Sequence, residues 1–145
     1  MPRSVRACIF CEILRGKADA DVVFEDEAAV AFLDHRPLLP GHCLVVPKVH
    51  VETLPDLPGD LLAPFFRAVQ IVERAVETGL EAEGSFIAVN NRISQSVPHL
   101  HVHVVPRWKG DGLFSQKMIW KRSPYKDEAA RRMVQGRIRE AVTHE

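Results

Sequence analysis

The stretch Pro98-His99-Leu100-His101-Val102-His103-Val104-Val105 sets three histidines in alternation with aliphatic residues. In a β-strand every second side chain lies on the same face. His99, His101 and His103 therefore share one face, and Leu100, Val102 and Val104 share the other. No packing requirement calls for three neighbouring imidazoles on one sheet. Neutral imidazole is a nucleophile, a proton carrier and a metal ligand, with a reference pKa of about 6.5. The run predicts a strand with one apolar face and a candidate active site on the other.

Outward from this strand, residues 85–90 read as a strand that reaches it through a polar connection, residues 91–96. The histidine strand ends near Pro106. Residues 22–26 and 29–33 read as two strands around an Asp-Glu-Ala turn, and residues 42–47 as another, after a proline-bearing loop at 35–41. The longest helical signal covers residues 59–78. There Leu62, Phe65, Phe66, Val69, Val72 and Val76 recur at intervals of three and four and form one apolar stripe. Pro64 calls for a separate or kinked first turn, and Gly79 reads as the stop. A short helical turn is expected at 11–15, closed by Gly16. Residues 108–122 read as irregular, with a turn at Gly110-Asp111-Gly112. Ser123-Pro124 then reads as an N-cap with proline at the first helical position. A last helix follows over about 125–142, with Gly136 inside it. Five antiparallel strands and two main helices make an α+β domain joined by hairpins, not a doubly wound nucleotide fold.

The 145 residues fit a single domain, 1–145, and 46% hydrophobic content is enough for a core. Nineteen basic side chains balance nineteen acidic ones. That balance argues against bulk electrostatic binding to nucleic acid or an anionic membrane. Arg131, Arg132, Arg137 and Arg139 on the last helix read as a solvated face. No apolar run reaches the roughly 18 residues of a membrane span. The opening MPRSVRACIFCEIL is too short and mixed for a signal peptide, so a cytoplasmic location is expected. In such a compartment three cysteines suggest metal binding or packing rather than disulfides. Cys43 reads as a core residue.

Cys8-Ile9-Phe10-Cys11 is a Cys-x-x-Cys pair, a spacing that brings two thiolates to one ion from a tight turn. A closed tetrahedral zinc site needs two more ligands. His50 and His99 can supply them if their strands are neighbours. The competing reading is two cysteines packing an apolar turn. A redox pair would need a thioredoxin-like context, which is missing.

His101 and His103 then remain for chemistry. An imidazole can attack phosphorus and divide one displacement into two steps, while its neighbour binds a phosphoryl oxygen or handles a proton. The polar run Asn90-Asn91-Arg92-Ile93-Ser94-Gln95-Ser96 offers amide and hydroxyl donors to an anion. Arg92 either compensates charge there or is a solvated loop residue. A second metal on His101 and His103 is a rival reading, weakened by the lack of clustered carboxylates.

Four segments carry a resemblance: Cys-Ile-Phe-Cys at 8–11, Ala-Phe-Leu-Asp-His-Arg-Pro-Leu-Leu-Pro-Gly-His at 31–42, Leu-Val-Val-Pro-Lys-Val-His at 44–50, and Gln-Ser-Val-Pro-His-Leu-His-Val-His-Val-Val-Pro-Arg at 95–107. Together the chain resembles the histidine triad (HIT) family of nucleotide hydrolases and transferases, in its zinc-binding branch, over about residues 7–125. The resemblance implies His101 as the nucleophile on a nucleotide α-phosphate and His103 as a phosphate contact, with His42 supporting the catalytic imidazole. Gln95 would bind phosphate and Ser96 the leaving group. Asp34 would hold the ribose hydroxyls. Ile9, Phe10, Ile13 and Phe32 would wall a purine pocket, with Asn90 or Asn91 near the ribose or phosphate. Zinc would sit on Cys8, Cys11, His50 and His99, and the fold would form a homodimer with its sheets joined. The chain departs from the family pattern in three places. Its loop before Gln95 is short and lacks glycine, Pro98 precedes the first histidine, and His35 stands where an aliphatic residue is usual. The implied activity is nucleotidyl hydrolysis of phosphoramidates, dinucleoside polyphosphates or related esters. The alternative is a nucleotide-binding or partner-binding module with little catalysis.

Overall fold

The computed structural model describes residues 8–116 and 121–143. Residues 1–7 and 144–145 of the expected domain lie outside these, as do residues 117–120 of the segment expected to be irregular. A short helix, α1 (Ile9–Leu14), precedes strands β1 (Val22–Glu25), β2 (Ala29–Leu33) and β3 (Cys43–Pro47). A single 3-10 turn, Leu54–Asp56, leads into α2 (Gly59–Leu80), which is followed by β4 (Gly84–Val89), β5 (Val102–Arg107) and α3 (Glu128–Ala141). The strands form one antiparallel sheet in the order β1-β2-β3-β5-β4. The α+β class and the five antiparallel strands stand as expected, with α1 as a third, short helix.

One face of the sheet packs on α2 and α3. Ala31 and Leu33 of β2, Cys43 and Val45 of β3, and Leu100, Val102 and Val104 meet Phe65, Val69, Val72 and Val76 of α2 and Ile138 of α3. The aliphatic half of the histidine run thus faces this core. On the opposite face Val30, Phe32, Leu44 and Val46 lie under Phe10, Cys8 and Cys11 of the α1 region. All five residues of β2 and of β3 are buried, as expected of strands covered on both faces.

Element ends differ from the sequence expectation for local reasons. α1 begins earlier because Cys8 caps it, its Sγ accepting the Cys11 N–H at 3.4 Å. α2 runs through Gly79 and stops at Glu81, which takes a left-handed φ of 52° and returns its N–H to Glu77 and Thr78. Gly79 serves close approach instead: a Cβ there would stand 2.4 Å from the Arg137 carbonyl oxygen of α3. Pro64 lies inside one continuous helix, in its second turn, where it leaves the Asp60 carbonyl without an i+4 N–H and yet starts no separate turn. α3 begins at Glu128, because Asp127 accepts the Ala130 N–H at 2.8 Å and outcompetes Ser123 as cap. Residues 121–125 instead lie along the loop before β3, with the Ser123 N–H on the Pro37 carbonyl and the Gly41 N–H on the Tyr125 hydroxyl. The arginines of α3 are not simply solvated. Arg131 reaches the buried Asp21 at 2.7 Å and ties α3 to the residue just before β1.

Candidate active site and metal cluster

β3 and β5 build the centre of the site. The register Cys43↔Val104 and Leu44↔His103 makes His42 and His103 diagonal neighbours on the sheet face away from α2. The ladder of β5 starts only at Val102, so His99 and His101 lie just ahead of it, yet the alternation persists. The imidazoles of His101 and His103 are 5.1 Å apart by ring centroid.

Hydrogen bonds fix the proton position on each ring. The Leu38 N–H donates to His42 Nδ1 at 3.0 Å, so that nitrogen is bare and the proton sits on Nε2. His42 Nε2–H faces His103 Nδ1 at 2.9 Å and donates to it. His103 then carries its own proton on Nε2, a buried atom with no hydrogen-bond partner among the described residues. His101 Nδ1–H donates to the His99 carbonyl at 2.7 Å, which leaves a lone pair on its Nε2. The site therefore presents one unprotonated nitrogen next to one unsatisfied N–H donor.

Burial keeps these rings neutral. It drives His42 down to about 2 and His103 to about 4, with neighbouring His and Arg122 charges adding to the shift. His101 is lowered too, chiefly by burial, against the opposing pull of its bond to the His99 carbonyl and the charge of Asp34. An imidazole neutral at pH 7 is a nucleophile without needing prior deprotonation.

Asp34 lies beside this row. Its Oδ2 is 3.7 Å from His42 Nε2 and 3.1 Å from the Arg122 guanidinium, and its Oδ1 accepts the Arg36 N–H at 2.9 Å. Phe10 is buried, with its ring edge-on to Phe32, His99 and His101. Ile13 packs in the same cluster, while Ile9 is half exposed. Gln95 holds its own loop, accepting the Arg92 N–H at 2.7 Å and donating to the Glu52 carbonyl at 2.5 Å. Asn91 accepts the Leu54 N–H, and Asn90 and Ser96 are exposed. Arg92 and Ser94 take left-handed φ values of 72° and 61°, a conformation that glycine would adopt without strain.

Cys8, Cys11, His50 and His99 converge as the sequence suggested. Cys11 Sγ is 3.2 Å from His50 Nδ1 and 3.6 Å from His99 Nδ1, Cys8 Sγ is 3.5 Å from His99 Nδ1, and the two Nδ1 atoms are 3.2 Å apart. Sulfur and nitrogen ligands of a tetrahedral zinc stand roughly 3.3–3.8 Å from one another, so this donor set fits zinc. His99 Nε2–H donates to the Pro47 carbonyl at 3.0 Å, which turns its bare Nδ1 towards the cluster. Burial beside Cys8 pushes the Cys11 thiol up to about 11, a penalty that a bound cation would reverse. Cys43 is buried apart from this cluster, as expected of a core residue, and no disulfide occurs among the described residues.

Arg122 is the site-bordering residue that the sequence reading missed. Its contacts to Asp34 and Arg36 span 88 and 86 positions, and no local pattern encodes them.

An open antiparallel sheet carrying a row of tautomer-fixed imidazoles beside a Cys2His2 cluster defines a histidine-triad protein. The HIT domain model matches residues 15–110, and the chain belongs to that family. A zinc-bound histidine triad protein of Mycobacterium smegmatis has a similar structure, with a TM-score of 0.80 and 38% identity, covering 95% of this chain and 94% of that one. An uncharacterised HIT-like protein of Methanocaldococcus jannaschii is 43% identical over 107 residues, 72% of this chain and 82% of that protein. An adenylylsulfatase of Arabidopsis thaliana is 30% identical over 129 residues, 88% of this chain and 66% of the enzyme.

Proposed function

We propose that this protein is a nucleotidyl hydrolase that works through a covalent adduct on His101. The observation that carries the reading is the tautomer chain: a bare Nε2 on His101 beside the Nε2–H of His103, which has no partner among the described residues. His101 Nε2 attacks the α-phosphorus of a purine nucleotide, and the bond from phosphorus to the leaving group breaks. His103 donates to a phosphoryl oxygen as negative charge develops. Ser96 donates to the departing group and Gln95 to the phosphate, which requires Gln95 to exchange its loop contacts. Water then attacks the phosphorus, the bond from phosphorus to His101 Nε2 breaks, and nucleoside monophosphate leaves with the lone pair restored to His101. Asp34 accepts the ribose hydroxyls, and Phe32, Phe10, Ile13 and Ile9 wall the base.

Substrates of this chemistry are nucleoside phosphoramidates, dinucleoside polyphosphates and mixed anhydrides. The adenylylsulfatase relative supports a nucleotide bearing an activated leaving group. Zinc on Cys8, Cys11, His50 and His99 would have a structural part, joining α1 to the start of the histidine run. The zinc-bound relative supports that assignment. A homodimer is part of this reading. β4 is an edge strand, and Ile87 on it is 42% exposed over a groove of about 560 Å³ shared with Phe66, Val69 and Gln70 of α2. No helix among the described residues is long and apolar enough to cross a membrane.

Intact mass spectrometry over a substrate panel tests the mechanism. A nucleotidyl adduct on the wild-type chain is expected, lost in His101→Asn together with turnover while nucleotide binding remains. Full turnover by His101→Asn would overturn the mechanism, and binding without any turnover by the wild type would favour a binding module.

A further inference from the structure

Arg122 comes from the segment after the irregular 108–116 region, beyond the residues matched by the family model. Its Nη1 donates to Asp34 Oδ2 at 3.1 Å and to the Arg36 carbonyl at 3.0 Å. The Ser123 N–H on Pro37 and the Tyr125 hydroxyl on the Gly41 N–H hold its backbone in place. The carboxylate it grips is the one assigned to the ribose hydroxyls. Three contacts link the guanidinium to the His103 ring: Arg122 to Asp34 Oδ2, Asp34 Oδ2 to His42 Nε2 at 3.7 Å, and His42 Nε2 to His103 Nδ1. Its positive charge is felt at His42, His101 and His103, lowering the pKa of each.

A ribose cannot use Asp34 Oδ2 fully while Arg122 holds it. The pair is exchangeable, because the Arg122 side chain is 38% exposed and exposed ion pairs are weak. A nucleotide brings both halves of an exchange: hydroxyls for the carboxylate and an anion for the guanidinium. A guanidinium matches phosphoryl oxygens in charge and in its forked geometry. We propose that Arg122 is a substrate-binding residue that passes from Asp34 to the nucleotide phosphate as the ribose docks. It thereby selects nucleotides over nucleosides, an inference that rests on the nucleotide reading above. A nucleoside must break the Arg122–Asp34 pair without repayment, whereas a nucleotide replaces it.

Calorimetric titration of adenosine and AMP into the zinc-loaded wild type, Arg122→Gln and Arg122→Lys gives effects of opposite sign. In Arg122→Gln, AMP should bind about 10-fold more weakly, and adenosine about 2- to 5-fold more tightly, once Asp34 is uncovered. Arg122→Lys should fall between, keeping the charge but losing the fork. A shift of both ligands in the same direction, or an unchanged ratio, overturns the role of Arg122 and leaves the nucleotide site standing. Failure of both ligands to bind the wild type overturns the nucleotide reading and Arg122 with it.

Discussion

At the residue scale, four histidines of one chemical type are set in different states because a protein group fixes the tautomer of each. His99 is turned by the Pro47 carbonyl, His101 by the carbonyl of His99, His42 by the Leu38 N–H, and His103 by His42. Holding these rings neutral has a thermodynamic consequence. In the unfolded chain each imidazole titrates near 6.5, while in the fold His103 is lowered to about 4 and His42 to about 2. Below 6.5 the unfolded state takes up protons first, so stability is complete above that pH and falls as pH drops towards 4. One pKa unit is worth about 1.4 kcal/mol, so the fully buried His42 alone withdraws about 2 kcal/mol at pH 5. Urea unfolding at pH 7 and pH 5 should show the midpoint falling, with a smaller fall in His42→Asn. An equal fall in the variant would show that the loss lies elsewhere.

At the element scale, the contact between α2 and α3 depends on a glycine. Gly79→Ala places a Cβ 2.4 Å from the Arg137 carbonyl oxygen, a backbone atom that can yield only if α3 moves. Overpacking of this kind costs about 1–3 kcal/mol, more than the helix propensity that alanine returns. Gly136→Ala meets nothing within 4 Å, and should stabilise by up to about 1 kcal/mol. Thermal melts of the two variants should shift in opposite directions, and destabilisation by Gly136→Ala would refute the contrast. The same glycines show what was legible in the sequence. Periodicity found the strands, the long helix and the apolar face of the histidine run, because each repeats over neighbouring residues. It misplaced the end of α2, where Glu81 rather than Gly79 takes the left-handed turn, and the start of α3, where Asp127 rather than Ser123 caps the helix. The convergence of Cys8, Cys11, His50 and His99 was legible because ligand chemistry admits few partners for a Cys-x-x-Cys pair. The Arg122–Asp34 contact was not, since one arginine in an irregular segment carries no pattern.

At the scale of the whole molecule, β4 is one of the two edge strands of the sheet. It pairs with β5 through six residue pairs, including Ala88↔His103, and its other edge has no strand beside it among the described residues. An uncovered strand edge invites pairing with another chain, and the groove beside it sets Phe66, Val69 and Ile87 among Arg67, Gln70, Glu73 and Arg74. A two-fold axis lets the same patch serve both copies and closes the assembly at two. Ile87 lies opposite Val104 in the ladder and lines the groove against α2, so it falls at the centre of such an interface. Sedimentation should give about twice the 16.3 kDa chain mass for the wild type, and the monomer mass for Ile87→Lys with its zinc retained. A monomeric wild type, or a dimeric variant, would place the interface elsewhere. In such a dimer the consequence would reach the chemistry through one strand: β4, held across the axis, would stiffen β5, which carries His103. Ile87→Lys should therefore slow turnover while the neutral state of the buried imidazoles, set within each chain, stays as it was.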